Sequence, residues 1–351
     1  MRNRKAVLIG NGINRVDSSQ SISWPDLLEN LANIYRIKNL DLKNPFKPFP
    51  LVFEEIINKK TGDSDKISKI RELKKRISEI LRYQTEEKKG FNEYHQRIMN
   101  SSVSNILTTN YDYGFELSVV NDFLISKGKY AENNQERKSS LKRRYLINVE
   151  GENKRIWHIH GELFDNRTHS EKETSYPSYA EESILIGYEH YSEYFDRIQG
   201  SIKGKFDVNL PPEKQNVITR VRNGSDGVFW VDFFFGYDLF ILGIGLDFSE
   251  NHLWWLLTKR SYYISRKNRA TDTIQNKIIF LMPNLKNNLE ITPRKLESSD
   301  AIQEWYKNKT AGDMNNAIGD ILEAFQIEKY PINCRDYPEF YSKAIDFIDS
   351  Y

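Results

Sequence analysis

Two histidines flank an isoleucine in the segment Trp157-His158-Ile159-His160-Gly161, which has the character of a strand end. Side chains alternate along a strand, so the pattern predicts both histidines on one face and Trp157 and Ile159 on the other. Two histidines on one face could be zinc ligands, although a third ligand would have to come from a distant part of the chain. His158 is more simply explained as a core histidine. His160 precedes a glycine at the strand end, where an imidazole is suited to general base chemistry near neutral pH.

A second candidate is the segment Thr108-Thr109-Asn110-Tyr111-Asp112, which follows a short apolar run. Asn and Asp at such a position could simply cap the next helix. Alternatively, Asn110 directs its amide at a bound sugar or at a water molecule. Both interpretations remain open at the level of the sequence.

The N-terminal loop contains Gly10-Asn11-Gly12 and Asn14 directly after an apolar run. A Gly-x-Gly turn after a strand lets backbone N–H groups approach a pyrophosphate. The third glycine of the dehydrogenase fingerprint is absent, because Arg15 occupies its position. A plain strand-to-helix turn explains this motif equally well.

A similar pattern recurs late in the chain, where Gly243, Gly245 and Asp247 follow another apolar run. The glycines leave room for the adenosine half of a dinucleotide. Asp247 could contact a ribose hydroxyl, or it could cap the helix that follows.

These motifs must be positioned by a sheet, because each falls at the end of a predicted strand. The predicted strands are residues 5–9, 103–108, 144–149, 154–160, 239–246 and 277–282. Helical patterns separate most of them, which is typical of an α/β fold with a Rossmann-like, doubly wound parallel sheet. Ligands of such folds bind beyond the carboxyl ends of the strands, where all the motifs lie.

The same patterns suggest a division of the chain. Residues 1–283 contain all the predicted strands and motifs, with an inserted helical lobe at about 45–100 and further insertions at about 126–150 and 165–222. Residues 284–351 form a predicted C-terminal helical tail for contact with another copy or a partner, with helical patterns near 314–325 and 338–348.

Composition excludes several classes of protein. A net charge of +2 gives no overall nucleic-acid-binding surface, so direct nucleic-acid binding is not expected. The single cysteine, Cys334, rules out both an internal disulfide and a cysteine-based zinc site, which fits a reducing, cytoplasmic location. No segment approaches the roughly 20 apolar residues of a membrane span, so no membrane association is expected.

Taken in order, the four motifs GNGIN, TTNYD, HIHG and GIGLD resemble those of the sirtuin superfamily. Ordinary protein-deacylating sirtuins carry a four-cysteine zinc ribbon, which this chain cannot form. The sequence Ser-Trp-Pro-Asp-Leu-Leu after the first motif, and the stretch GIGLDFSENHLWWLL, are similar to the bacterial sirtuin-like domains of antiphage defence. Those domains have a helical inserted lobe and hydrolyse NAD⁺.

The resemblance implies roles for individual residues. Asn110 would hold the nicotinamide ribose and the attacking water, and His160 would act as a base or a positioning group at the ribose hydroxyls. Asp112 would contact the nicotinamide amide. The remaining NAD⁺-binding positions would be Gly10, Asn11, Gly12, Asn14 and Thr109 around the pyrophosphate and ribose, and Gly243, Gly245 and Asp247 near the adenosine half. No metal is expected.

The implied activity is cleavage of NAD⁺ to nicotinamide and ADP-ribose, which would deplete cellular NAD⁺ in abortive infection. The cationic nicotinamide needs no acid to leave, so an amide and a histidine can suffice where other glycosidases use two carboxylates. The family also implies a homo-oligomer, and a partner such as a HerA-type ATPase or an Argonaute. Two alternatives remain: a module that binds NAD⁺ or ADP-ribose without cleaving it, and an NAD-dependent protein deacylase.

Overall fold

The computed structural model describes residues 4–16, 22–40, 47–60, 65–87, 90–132, 141–163, 184–246, 248, 250–265, 273–285 and 317–351. Its centre is a seven-stranded sheet in the order β3-β4-β2-β1-β5-β6-β7. The strands are β1 (Lys5–Ile9), β2 (Asn105–Thr108), β3 (Arg144–Val149), β4 (Glu152–His158), β5 (Asp238–Leu242), β6 (Ile278–Leu285) and β7 (Glu328–Cys334).

Nearly all neighbouring strands in this sheet run parallel. The pairs β4–β2, β2–β1, β1–β5, β5–β6 and β6–β7 are parallel, and β3 pairs with β4 in the antiparallel sense. The predicted α/β fold with a mostly parallel sheet is therefore confirmed.

The helices are α1 (Trp24–Ile34), α2 (Phe49–Lys59), α3 (Lys66–Glu87), α4 (Glu93–Met99), α5 (Gly114–Leu117), α6 (Phe123–Ser126), α7 (Tyr188–Lys203), α8 (Val217–Arg222), α9 (Phe233–Gly236), α10 (Asn251–Ser265) and α11 (Tyr337–Ser350), together with helical residues 317–324. Helix α1 begins with a capped first turn: the Ser23 side chain accepts a hydrogen bond from the Asp26 N–H, and Pro25 occupies the first turn.

Both faces of the sheet are buried beneath helices. Within β1, Val7 and Ile9 belong to a first apolar cluster with α1–α6 and α11, whereas Ala6 and Leu8 belong to a second cluster with α7–α10 and residues 317–324. A strand that is covered on both faces needs apolar residues at every position, which explains why these strands are continuous apolar runs in the sequence.

The C-terminal region adds a strand that the sequence analysis did not predict. Strand β7 pairs in parallel with β6, so the predicted helical tail contributes to the central sheet. Its burial is weak and irregular, with Tyr330 exposed and only Ile332 and Cys334 buried, because β7 lies at the edge of the sheet. It also contains Pro331, which edge strands tolerate. The following helix α11 corresponds to the helix predicted near 338–348 and packs into the first cluster.

The predicted insertions are partly covered by the described residues. Helices α2–α4 lie in the segment of the expected lobe and pack in the first cluster, and α7 and α8 from the 165–222 segment pack in the second. Residues 165–182 of the latter segment lie outside the described residues. Among the described helices, none has both the length and the apolar character needed to cross a bilayer.

A fully buried ion pair lies on the face of the sheet that the second apolar cluster covers. Arg220 on α8 contacts both carboxylate oxygens of Asp232, with an Nη2–Oδ1 distance of 2.6 Å, and both side chains are inaccessible to solvent. Asp232 Oδ2 also accepts hydrogen bonds from the N–H groups of Gly227, Val228 and Phe229, at 3.1–3.2 Å. This carboxylate therefore fixes the chain that leads into α9 and β5.

Candidate active site

The carboxyl ends of β4, β2, β1 and β5 lie side by side and are joined beyond the strands by backbone hydrogen bonds. Thr109 N–H donates to the Ile9 carbonyl at 3.1 Å, and Gly12 N–H donates to the Gly243 carbonyl at 2.8 Å. The chain proceeds from β1 to β2 on one side and later returns to β5 on the other, so β1 lies at the point where strand order reverses. Crevices at such points are the usual ligand sites of α/β folds.

The loop after β1 approaches the loop after β5 so closely that a side chain at Gly12 would not fit. A Cβ atom there would lie 2.8 Å from the Gly243 Cα and 2.7 Å from the Tyr341 hydroxyl. Gly243 itself has φ of 66°, a conformation that favours glycine. The two glycine motifs found in the sequence are thus parts of one wall, closed from behind by α11.

Replacing Gly12 by alanine is expected to lower the free energy of unfolding by about 1–3 kcal/mol, because the new Cβ meets backbone that cannot rotate away. Gly245 is the matched control, since a Cβ there meets nothing within 4 Å. Gly245→Ala should change stability by less than about 0.5 kcal/mol. Denaturant unfolding of the two variants checks this, and equal stabilities would contradict the close approach.

Asn110 lies just beyond β2, is 6 % exposed and lines a small cavity of about 70 Å³. Its backbone N–H donates to the Thr108 hydroxyl at 3.1 Å, so this segment is anchored locally. Its side-chain Nδ2 is buried and has no hydrogen-bond partner in the protein. A buried donor without an acceptor costs about 1–3 kcal/mol, and a ligand that supplies the acceptor would recover it.

Asp112 and the N-terminal loop form a hydrogen-bonded group in the same cavity. Asn14 Nδ2 donates to Asp112 Oδ2 at 2.7 Å and to Asn11 Oδ1 at 3.0 Å, and Gly114 N–H donates to Asp112 Oδ1 at 3.0 Å. Burial raises the pKa of Asp112 above its ordinary value. The structure thus brings together residues that are about 100 positions apart in the chain.

His158 is a core residue with both ring nitrogens engaged. Its Nε2 lies 2.8 Å from Glu116 Oε1 on α5, and its Nδ1 lies 3.2 Å from the Asn110 carbonyl oxygen. Burial alone lowers the pKa of His158, but the adjacent Glu116 carboxylate outweighs it and raises that pKa above its usual value. This is the core-histidine interpretation made from the sequence.

His160 occupies a different environment, and the expectation that both histidines share one strand face is wrong. Strand β4 ends at His158, and the chain turns at Gly161, whose φ is 88°. His160 therefore contacts α10 rather than α5: its Nε2 lies 2.8 Å from the Nε2 of His252. Burial lowers the pKa of His160 to about 3, so the imidazole is neutral at pH 7.

His160 lines a large cleft of about 690 Å³ that adjoins the Asn110 cavity. The two share wall residues, among them Asn11, Thr109 and Tyr111. Other residues predicted from the sequence to bind NAD⁺ also line these two spaces. Gly12, Gly243 and Gly245 line the cleft, and Asn14 and Asp112 line the cavity. Gly10 lies behind the cleft wall, where its N–H donates to the Leu242 carbonyl at 3.3 Å. Asp247 lies outside the described residues.

The site also contains residues whose role is not predicted from the sequence. Glu250 and Tyr191 line the cleft, and His252 packs against His160 from the start of α10. Arg15 also lines the cleft, so the residue that breaks the dehydrogenase fingerprint places a positive charge at the site. The signal that could have revealed Glu250 and His252 is their position directly after a strand-end glycine motif.

The chain matches no protein-family model and has no significant match among curated proteins. The chemistry of this site is therefore the guide to its function.

Proposed function

We propose that this protein is an NAD⁺ glycohydrolase that cleaves the nicotinamide–ribose bond and releases nicotinamide and ADP-ribose. The observation that carries the proposal is the buried, unpartnered amide of Asn110 at the carboxyl end of β2. It lies beside a cleft at the point where strand order reverses, which is where dinucleotides bind in related architectures.

The dimensions and charges of the site suit an extended dinucleotide. The pyrophosphate would lie over the loop that contains Gly12 and Asn14, where Arg15 supplies the charge that phosphate groups favour. The adenosine half would extend towards Gly243 and Gly245 in the larger cleft. The nicotinamide ribose would lie nearest to Asn110, where the two spaces adjoin.

The chemistry requires stabilisation of a cationic ribosyl centre and delivery of water to it. Nicotinamide departs with the bonding electrons and becomes neutral, so no general acid is needed. The Asn110 amide would hold the ribose and the attacking water, and Asp112 would contact the carboxamide of nicotinamide. His160, as a neutral imidazole in the cleft wall, would accept a hydrogen bond from a ribose hydroxyl. Positioning of this kind accounts for large rate effects.

In this proposal the enzyme is a sirtuin-like protein of antiphage defence. Helices α2–α4 would form the lobe inserted into the NAD⁺-binding fold, and no zinc ribbon would be present. The protein would act in the cytoplasm, deplete cellular NAD⁺ when triggered, and be controlled by assembly into a homo-oligomer or by a partner such as a HerA-type ATPase or an Argonaute. Control is expected because uncontrolled hydrolysis would be lethal.

The test is chromatographic detection of nicotinamide and ADP-ribose after incubating the purified protein with NAD⁺, alone and with the product of the neighbouring gene. We expect equimolar products, and a rate at least about 100-fold lower for His160→Ala because a positioning contact is lost. NAD⁺ bound without turnover under both conditions would instead indicate a binding module. An O-acyl-ADP-ribose product from an acyl-lysine peptide would indicate a deacylase.

A further inference from the structure

Three side chains converge at the wall of the large cleft, from two distant parts of the chain. His160 follows β4, whereas Glu250 and His252 lie at the start of α10. Their ligating atoms lie within 4.8 Å of one another. His160 Nε2 is 2.8 Å from His252 Nε2 and 3.4 Å from Glu250 Oε2, and His252 Nε2 is 3.9 Å from the same oxygen.

These separations are those of ligands around one small ion. A triangle with sides of 2.8, 3.4 and 3.9 Å has a centre that lies about 2.0 Å from each corner. Zinc binds histidine nitrogen and carboxylate oxygen at about 2.0–2.2 Å. An ion slightly above the plane of the three atoms would therefore reach all of them without a change in the backbone.

The donor types also select the class of ion. Two imidazoles and one carboxylate form a typical three-residue set for zinc with an open fourth position, whereas magnesium and calcium prefer oxygen ligands. Both histidines are buried, which lowers their pKa values and keeps them in the neutral form that binds metal. Glu250, with 22 % of its side chain exposed, lies on the cleft side of the group.

We propose that His160, Glu250 and His252 bind one divalent transition-metal ion of the zinc class, with its open position facing the cleft. This site goes beyond the proposed hydrolysis of NAD⁺ and does not depend on it. Its regulatory consequence does rest on that function: the ion would occupy Nε2 of His160 and withdraw it from a ribose hydroxyl, so zinc would inhibit hydrolysis.

Titration of the chelator-treated full chain with Co²⁺, in the absence of NAD⁺, tests the site. We expect one Co²⁺ per chain, with the intense visible absorption of four-coordinate cobalt, and its displacement by Zn²⁺. Glu250→Gln and His252→Ala each remove a direct ligand, so affinity should fall by more than the roughly 10–100-fold that is usual for changes beyond the ligands.

Glu79→Gln is the matched control, because Glu79 is an exposed residue on α3 that pairs with Arg76. It should bind Co²⁺ as the unmodified protein does. Thermal unfolding verifies that each variant is folded. If His252→Ala does not fold, loss of Co²⁺ binding in Glu250→Gln tests the site by itself. Absence of saturable binding, or equal binding by Glu250→Gln and Glu79→Gln, would overturn the proposal.

The two proposals fail separately. Stoichiometric Co²⁺ binding that is lost in Glu250→Gln upholds the metal site even where the protein releases no nicotinamide. Release of nicotinamide and ADP-ribose by a protein that binds no Co²⁺ upholds the hydrolase and removes the metal site.

Discussion

Substitution of Asn110 by alanine is expected to reduce the rate of NAD⁺ hydrolysis by about 10²–10³-fold or more, the usual effect of removing one preorganised donor from an active site. The amide is buried, 6 % exposed, and bonded to nothing in the protein through Nδ2, so its donor capacity is available to substrate. Nicotinamide release under saturating NAD⁺ measures the change in kcat.

The fold should survive this substitution, and that separates a catalytic role from a structural one. Removing a buried donor that has no partner deletes no protein hydrogen bond through that atom and relieves its desolvation cost, so the free energy of unfolding should not fall by more than about 1 kcal/mol. Asn284→Ala, at an exposed position on β6, serves as the control and should leave hydrolysis unchanged. Hydrolysis by Asn110→Ala at the unmodified rate would exclude the role proposed for this amide.

The largest loss of stability is expected for Asp232→Ala, at about 3–5 kcal/mol, because the substitution leaves a buried positive charge without its partner. Arg220 would lose its carboxylate partner while remaining fully buried, and its other contacts, to the carbonyls of Ser201 and Gln215, cannot balance that charge. The N–H groups of Gly227, Val228 and Phe229 would lose their acceptor at the same time. Urea or guanidinium unfolding measures the change.

A surface ion pair provides the comparison for that measurement. Arg97 and Asp346 are 2.8 Å apart, and the Asp346 side chain is 72 % exposed. Asp346→Ala should cost no more than about 1 kcal/mol, as is usual for exposed pairs. Similar losses for the two aspartates would show that the buried pair does not have the expected stabilising role.

The fold was predictable wherever burial is complete. Strand β1 lies between two helical layers and has no polar residue after Lys5, so its pattern is unambiguous. Strand β7 was not predicted because its exposed and buried positions do not alternate regularly, as is common for an edge strand. It also contains Pro331, which argues against a strand in the sequence. Local composition indicates which residues are buried, and few residues of β7 are buried.

The site was predictable to the extent that it depends on strand ends. Parallel neighbours bring their carboxyl ends to one edge, so Gly12, Asn110 and Gly243 could be expected near one another. The position of His160 depends instead on where β4 ends, which alternation does not reveal. The glycine motif that precedes Glu250 and His252 marks their segment as the end of a strand, but their contact with His160 depends on the packing of α10, which no local pattern encodes.

The two helical layers on the sheet support different parts of the site. The Asn110 cavity is walled by residues of α1, α3 and α4 from the first layer, such as Leu27, Leu81 and His95, whereas His160 rests against α7 and α10 of the second. A core substitution that tilts α10 would thus change the spacing between the two halves of the site while leaving the Asn110 half undisturbed. Substitutions in each half of the site can therefore be compensated within the helical layer that packs against it. Exchange of a whole helical layer between homologues should be tolerated better than exchange of a continuous segment that includes helices of both layers.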